Sequence, residues 1–151
     1  MILVFSKSGY IRILYNSRIN YNYDHIVISD YDKGYLTEED IVTISSNHNS
    51  VFLDTKKVLG DWASKARFIK INDFEFKNSK EKISESLKSK IIHTVGQSGC
   101  NYQGENYPVI KHEIRDTSGA GDSFMAALVL EFLKTQDIVA SIKLANLAAS
   151  Q

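Results

Sequence analysis

Short apolar runs alternate with polar segments of helical spacing through most of this 151-residue chain. The runs are three to five residues long and rich in β-branched side chains, with apolar residues on both faces. This pattern is typical of parallel strands that are covered on both sides. Four such strands are predicted at 25–29, 51–53, 68–71 and 91–95. Because strands joined through helices form right-handed crossovers, the chain is predicted to be an α/β domain with a mostly parallel sheet.

The helices are indicated by capping residues and apolar spacing. Thr37 precedes three acidic residues, as expected of an N-cap and a first helical turn. Ile83 and Leu87 lie four residues apart and form one apolar stripe. The chain then closes with two strongly apolar segments. Helices are therefore predicted at about 38–46, 79–90, 120–134 and 138–150.

Two further segments have the pattern of antiparallel strands. Residues 10–15 alternate loosely, which favours a hairpin or edge strands. Residues 100–102 and 107–110, joined across 103–106, predict a second hairpin. Pro108 is the only proline and no Gly/Ser linker occurs, so residues 1–151 are predicted to form a single domain.

The composition excludes several classes of partner. Lys plus Arg and Asp plus Glu both number 18, so nothing favours nucleic acid or an anionic membrane surface. The apolar run 1–5 is too short for a membrane span and lacks the basic lead of a signal peptide. The single cysteine, Cys100, cannot form an intrachain disulfide and favours a small buried residue in a reducing cytoplasm.

The chemistry is concentrated where Gly119, Ala120, Gly121 and Asp122 precede a long apolar helix. Small residues let the backbone approach a ligand, and the first amides of a helix have no intrahelical partner. Such amides can hold a phosphate, and a carboxylate in the first turn could accept a proton from a hydroxyl. The same residues could also form only a tight turn and an ordinary helix start. From the residues alone, both interpretations remain open.

Residues 116–124 match the DTxGAGDxF signature of the ribokinase/PfkB family of carbohydrate kinases, and the chain resembles the C-terminal portion of that family. The resemblance implies a ribokinase-like, Rossmann-like three-layer fold and ATP-dependent phosphorylation of a sugar or sugar phosphate. It implies Asp122 as the catalytic base, with Gly119, Ala120 and Gly121 as the anion hole.

Other segments occur in the family's order. Residues 72–75 resemble its NxxE motif, which implies that Asn72 and Glu75 organise Mg²⁺ and phosphate, although alone they would favour a solvated helix start. Residues 94–99 resemble its TxGxxG segment, which implies a nucleotide contact at Thr94, Gly96 and Gly99; alone they would favour a strand-to-hairpin turn. The resemblance places Asn146 near the adenine, and an exposed helical asparagine is the alternative.

A narrower resemblance links the chain to kinases that phosphorylate heptose 7-phosphate. Residues 29–37 are similar to their SDYxKGxLT segment, and residues 53–56 to their VDPK segment. The resemblance implies that Lys33 and Lys56 face phosphate and that Asp30 binds substrate at the edge of the sheet. The alternative for each lysine is a solvated surface charge. The implied cofactor-binding residues are thus Thr94, Gly96, Gly99, Asn146, Asn72 and Lys56.

The chain also departs from the family's pattern. It lacks the glycine-rich sugar-binding motifs of the family's N-terminal half, and residues 1–22 could be a remnant of its lid strands. Thr55 stands where the heptose kinases carry proline, and Ala127 where many members carry glycine. The fold is therefore expected to be truncated at both ends, with an unpaired sheet edge and an exposed apolar face. Such a chain is expected to form a homo-oligomer or to need a complementary N-terminal half.

Two functions follow from these observations. The first is a sugar kinase, or its nucleotide-binding part, and it is carried by the loop at 119–122. The second is a non-catalytic module that binds nucleotide or a protein partner, and it is suggested by the missing sugar-binding motifs. A dinucleotide-dependent dehydrogenase is disfavoured because its glycine loop should follow the first strand of a βαβ unit.

Overall fold

The computed structural model of the protein describes residues 1–6, 11–14, 19, 21–109 and 119–150. The strands are β1 (Ile2–Phe5), β2 (Ile11–Leu14), β3 (His25–Asp30), β4 (Val51–Thr55), β5 (Phe68–Asn72), β6 (Ile91–Thr94), β7 (Cys100–Tyr102) and β8 (Glu105–Tyr107). In this part of the chain they form one sheet in the order β2-β1-β3-β4-β5-β6-β7-β8.

The centre of the sheet is parallel, as the sequence predicts. Strands β3 to β6 pair in parallel, and the four predicted strands agree with them to within one or two residues. Strands β1 and β2 form an antiparallel margin beside β3, and β7 and β8 form the other beside β6. Within the segment 1–22, considered above as a possible remnant of lid strands, residues 2–5 and 11–14 are thus two strands of this same sheet.

The helices are α1 (Glu38–Asn47), α2 (Asp73–Ser79), α3 (Glu85–Lys88), α4 (Ala120–Thr135) and α5 (Ile138–Ala149). Thr37 caps α1 in a capping box: its Oγ1 accepts from Asp40 N at 3.1 Å, and the Asp40 carboxylate accepts from Thr37 N at 2.8 Å. The predictions of α1, α4 and α5 are confirmed. None of the helices in the described ranges is long and apolar enough to cross a membrane.

Alternating side chains of the central strands build a core on each face of the sheet. On β3, Ile26 and Ile28 pack in one cluster with Ile41 of α1, whereas Val27 packs in the other with Leu128 of α4. All five are at most 1% exposed. The sheet is thus the middle of three layers. Helices α1 and α4 cover the central strands on its two sides. The exposed apolar face stays a prediction.

The prediction of one helix over residues 79–90 is wrong. The segment contains a 3₁₀ turn at 80–82, an extended residue at Ile83 (φ −83°, ψ 108°) and the single turn α3. Serines compete for backbone hydrogen bonds, and the Ser79 hydroxyl here accepts from Leu59 N at 2.9 Å. Ile83 and Leu87 are nonetheless both buried in the α1-side core. The apolar stripe was informative about burial but not about helix continuity.

The predicted hairpin at 100–110 is confirmed with a tighter turn. Gln103 and Gly104 both have positive φ (51° and 85°), as in the two-residue type I′ turns that join twisted strands. Strand β8 therefore begins at Glu105 instead of Tyr107. The end of the predicted second strand, Ile110, lies outside the described residues.

Cys100 is expected to be inert in the folded protein. It is fully buried, and burial raises the pKa of its thiol to about 11, against a hydrogen bond from Asn146 that lowers it. Since the thiolate is the reactive form, a thiol reagent at pH 8 should label the native chain very slowly and the chain in denaturant completely. Mass spectrometry of the labelled protein measures both. Rapid labelling of the native chain would show that the β7 region opens easily.

Candidate functional site

The carboxyl ends of β3, β4 and β5 meet the N-terminal end of α4 in one cleft. Parallel strands bring their carboxyl ends to the same edge of the sheet, where open α/β sheets bind ligands. The cleft therefore combines polar side chains from three crossovers with the glycine loop near the end of the chain. It is lined by Ser29, Asp30, Tyr31, Asp54, Lys56, Lys70, Gly119, Gly121 and Asp122.

Helix α4 begins with backbone amides that have no partner within the helix. Gly119 is its N-cap in the left-handed conformation (φ 79°), and it has no side chain that could cap the helix. The first i to i−4 bond runs from Ser123 N to Gly119 O at 2.9 Å. The amides of 120–122 precede that bond at the positive end of the helix dipole. This end of the cleft is suited to an anion. The rest of the matched signature, 116–118, lies outside the described residues.

A buried lysine lies beneath this helix end. Lys70 of β5 is 4% exposed, and its Nζ is 3.0 Å from Oδ2 of Asp54. A Cβ on Gly121 would stand 3.0 Å from that Nζ, so the glycine allows the lysine to approach the loop closely. Burial raises the pKa of the Asp54 carboxyl, although the Lys70 ammonium opposes this effect. The pair places the Lys70 amino group directly beside the first turn of α4.

Asp122 lies in the first turn of α4 with its carboxylate exposed at the cleft. The hydroxyl of Tyr31 donates to both of its oxygens, at 2.9 Å to Oδ1 and 3.0 Å to Oδ2. This hydrogen bond is the main reason that the pKa of Tyr31 is raised, followed by burial and by the charges of Asp122 and Asp54. The carboxylate is therefore held by a neutral donor and not by a salt bridge in the described contacts.

Asn72 and Glu75 form the capping box of α2. Glu75 N donates to Asn72 Oδ1 at 3.0 Å, and the Glu75 carboxylate accepts from Asn72 N at 2.7 Å and from Asn72 Nδ2 at 2.8 Å. Lys56 Nζ also donates to this carboxylate, which is only 3% exposed. The motif therefore has a structural role at the start of α2. Through Lys56 it is also connected to the cleft.

Replacing Asn72 by alanine is expected to destabilise the fold by about 1 kcal/mol, the usual cost of a lost N-cap. The change removes the cap and the bond from Asn72 Nδ2 to buried Glu75. Urea unfolding measures the shift in midpoint. Thr37→Ala is the matched control because it removes the cap of an exposed capping box on α1. If only the Thr37 variant lost stability, the box at Asn72 would not support the fold.

Of the two predicted substrate residues, the structure places Asp30 in the cleft lining and Lys33 outside it. Asp30 lines the cleft, but its carboxylate already accepts from Asp32 N at 3.1 Å and from Thr55 Oγ1 at 3.0 Å, with Lys57 Nζ 3.4 Å away. These bonds fix the turn that follows β3. Lys33 is exposed and is not among the residues that line the cleft.

Of the predicted nucleotide contacts, Lys56 lines the cleft, whereas Thr94, Gly96, Gly99 and Asn146 lie beyond β5 and outside its lining. Thr94 ends β6, and Gly96 and Gly99, with φ of 57° and 89°, shape the turn into β7. Asn146 is 4% exposed, and its Nδ2 donates to the Tyr107 carbonyl at 2.8 Å. The alternative of an exposed helical asparagine is therefore wrong. Asn146 ties α5 to the end of β8.

Sequence reasoning missed Lys70 and Tyr31. Lys70 stands within an apolar strand that the pattern predicts to be covered on both faces, and an ionisable residue there must find a buried partner. The position of Lys70 in an apolar strand was therefore a signal in the sequence that could have predicted a buried ion pair. Tyr31 contacts a residue 91 positions away, and no local pattern predicts such a contact.

A polar cleft at the carboxyl ends of parallel strands, in a sheet that lies between two layers of helices, is where open α/β proteins bind their ligands. Residues 37–151 match the family described as pfkB family carbohydrate kinase. The match covers well over half of the chain, so the chain belongs to the pfkB family of carbohydrate kinases.

Individual relatives agree with this assignment. The chain is 31% identical to the bifunctional protein HldE of a Nitratiruptor species, over 87% of this chain and 32% of the relative. It is 30% identical to the bifunctional protein HldE of Helicobacter pylori, over 84% of this chain and 32% of that protein. The chain thus spans about a third of the length of these relatives.

Solved structures show the same fold. A ribokinase from Thermotoga maritima matches with a TM-score of 0.67 and 16% identity, over 98% of this chain and 60% of the ribokinase. A nucleoside kinase from Methanocaldococcus jannaschii matches with a TM-score of 0.70 and 17% identity, over 98% of this chain and 58% of that protein. The predicted ribokinase-like fold is confirmed.

Proposed function

We propose that the chain carries out, or supplies the nucleotide-binding part of, ATP-dependent phosphorylation of a sugar or sugar phosphate. One observation carries the proposal: the exposed carboxylate of Asp122 adjoins uncapped helix amides and the Lys70 ammonium. Phosphoryl transfer needs a base for the attacking hydroxyl and fixed positive charge for the transferring group. The cleft offers both within one helical turn.

In this proposal each residue has a defined task. Asp122 accepts the proton of the acceptor hydroxyl as its oxygen attacks the γ-phosphorus. The amides around Gly119, Ala120 and Gly121 stabilise the developing charge, and such donors are worth roughly 3–4 kcal/mol each. Lys70 adds a positive charge, held in place by Asp54. Because the lysine is buried and paired, little reorganisation is needed during the reaction.

Mg²⁺ fits the chemistry of the residues near Lys56. Glu75 offers carboxylate oxygens, hard ligands of the kind Mg²⁺ prefers, but three protein donors already occupy most of its acceptor sites. No group of three or more His, Cys, Asp or Glu side chains in the described ranges could hold a metal. Glu75, and Asn72 beside it, would therefore hold Mg²⁺ mainly through water. A bound Mg²⁺ would neutralise phosphate charge.

The acceptor and the cellular setting are also part of the proposal. Similarity to the two HldE proteins and the heptose-kinase motifs favour heptose 7-phosphate as acceptor. Lys33 and Asp30 would then adjoin the acceptor, with Lys56 beside the nucleotide phosphates, while Thr94, Gly96, Gly99 and Asn146 would border the nucleotide. A complementary N-terminal half or a second copy would supply further sugar contacts. A buried free cysteine suits the reducing cytoplasm.

The second candidate is a nucleotide-binding module without transferase activity. The contact of Tyr31 favours it, because the phenol already donates to both carboxylate oxygens of Asp122. In that case the cleft would bind ATP, and no acceptor would reach Asp122.

Calorimetry followed by a transfer assay separates the two candidates. ATP with Mg²⁺ is titrated into the chain, with AMP as a control that lacks the β- and γ-phosphates. Phosphorylation of heptose 7-phosphate is then measured. Binding and transfer support the kinase, and binding alone supports the module. If ATP does not bind, or binds no more tightly than AMP, the phosphate site at 119–121 is wrong and both candidates fail.

A further inference from the structure

Tyr31 links the two sides of the cleft at the proposed base. It follows β3, whereas Asp122 belongs to α4, and the phenol oxygen is nearly equidistant from the two carboxylate oxygens. A hydroxyl in that position covers the side of the carboxylate that lies between its oxygens. An acceptor hydroxyl must come within about 2.6–3.2 Å of one of these oxygens to give up its proton. The phenol therefore occupies one of the positions from which an acceptor hydroxyl could reach this carboxylate.

The phenol can leave this position without disturbing the fold. The Tyr31 residue is 50% exposed, so little packing holds the ring. The backbone before and after it is fixed separately, because the buried Asp30 carboxylate accepts from Asp32 N and from Thr55 Oγ1. A change of the Tyr31 rotamer breaks its hydrogen bonds with Asp122 and Ser29 and leaves this turn intact.

We propose that Tyr31 is a positioning residue that occupies the acceptor's place on Asp122, excludes water from it, and yields to the acceptor hydroxyl. The inference rests on the proposed phosphoryl transfer. Water at this place would permit a side reaction in which its oxygen bonds to the γ-phosphorus. The bond from that phosphorus to the bridging oxygen would break, ADP and phosphate would leave, and the proton of the water would pass to Asp122. Tyr31 suppresses this hydrolysis while no acceptor is bound.

The test compares ATP hydrolysis without acceptor in the wild-type chain, Tyr31→Phe and Tyr35→Phe. Phenylalanine keeps the ring and removes only the hydroxyl, and Tyr35 is a control from the same segment that is 79% exposed. Hydrolysis should rise about fivefold in Tyr31→Phe, the rate equivalent of one ordinary hydrogen bond. It should stay at the wild-type rate in Tyr35→Phe. Transfer to the acceptor is measured in parallel, and the ratio of hydrolysis to transfer should rise in Tyr31→Phe but not in Tyr35→Phe.

A spectroscopic measurement checks the contact itself. The difference between the alkaline absorbance titrations of the wild-type chain and Tyr31→Phe isolates Tyr31, whose pKa should lie above the usual value of about 10. An ordinary pKa there, or a hydrolysis rate in Tyr31→Phe that is unchanged or lower, overturns the inference while the proposed function stands. A wild-type chain that does not bind ATP overturns both.

Discussion

Replacing Asp122 by asparagine is expected to slow phosphoryl transfer by about 10²–10⁴-fold, the usual contribution of a positioned base. The amide has nearly the same shape and can still accept the Tyr31 hydrogen bond through its carbonyl oxygen, but it cannot take up the proton of the acceptor. Lys70 and the helix amides are unchanged, so ATP binding should be nearly unaffected. Initial rates of transfer and calorimetry with ATP measure the two effects separately.

The control for this variant is Glu38→Gln. Glu38 is also an acidic residue in the first turn of a helix, but it belongs to α1 and does not line the cleft. It therefore reports what the loss of a helix-start charge does by itself. Transfer is measured with the chain alone and, where that lacks turnover, with a sugar-binding N-terminal half of a related kinase added. If Asp122→Asn retained wild-type turnover, Asp122 would not be the base.

Strands and helices were predictable where one local rule decided them. Residues 25–29 are apolar on both faces, and such a run can be stable only between two covering layers, which the structure provides through α1 and α4. Thr37 and its acidic successors define a helix start in any context. Residues 79–90 were different, because Ile83 and Leu87 satisfy helical spacing although Ile83 is extended. Spacing reports burial on one side and does not fix the backbone between the buried residues.

The loop of the candidate site was predictable, and its surroundings were not. Gly119 to Asp122 lie next to one another in sequence, so a motif can describe them completely. Lys70, Asp54 and Tyr31 reach the same place from three different strand ends. Their meeting depends on strand order and register, which a local pattern does not contain. The strand order places β5 beside β4, and this brings Lys70 to Asp54.

The sequence motifs also did not determine which group each side chain bonds to in the folded protein. Asn72 and Glu75 have the spacing of a metal-organising motif and equally that of a capping box, and the structure shows the second arrangement. Asn146 lies on the last helix and is buried, because its amide satisfies the Tyr107 carbonyl at the end of β8. Both outcomes follow from the rule that buried polar groups must be paired. The rule applies only once the fold shows which groups are buried.

Replacing Gly99 by alanine is expected to destabilise the fold by about 2–6 kcal/mol, from the strained conformation and the overpacking together. Gly99 has φ 89° and ψ −131°, which side-chain-bearing residues rarely adopt. A Cβ would stand 2.0 Å from the Tyr107 carbonyl oxygen and 2.8 Å from the Pro108 Cα. That carbonyl accepts the hydrogen bond from Asn146, so moving it also loosens α5. Urea unfolding followed by circular dichroism measures the loss.

The Gly104→Ala variant separates the cost of the strained backbone conformation from the cost of overpacking. Gly104 also has positive φ (85°), but a Cβ there would meet nothing within 4 Å. Its variant should lose only the conformational part, about 1–2 kcal/mol. The difference between the two variants then measures the close approach of the β6–β7 turn to the end of β8. Equal losses would show that the backbone yields to the new methyl group at Gly99, and that this approach is not needed to hold α5 against the sheet.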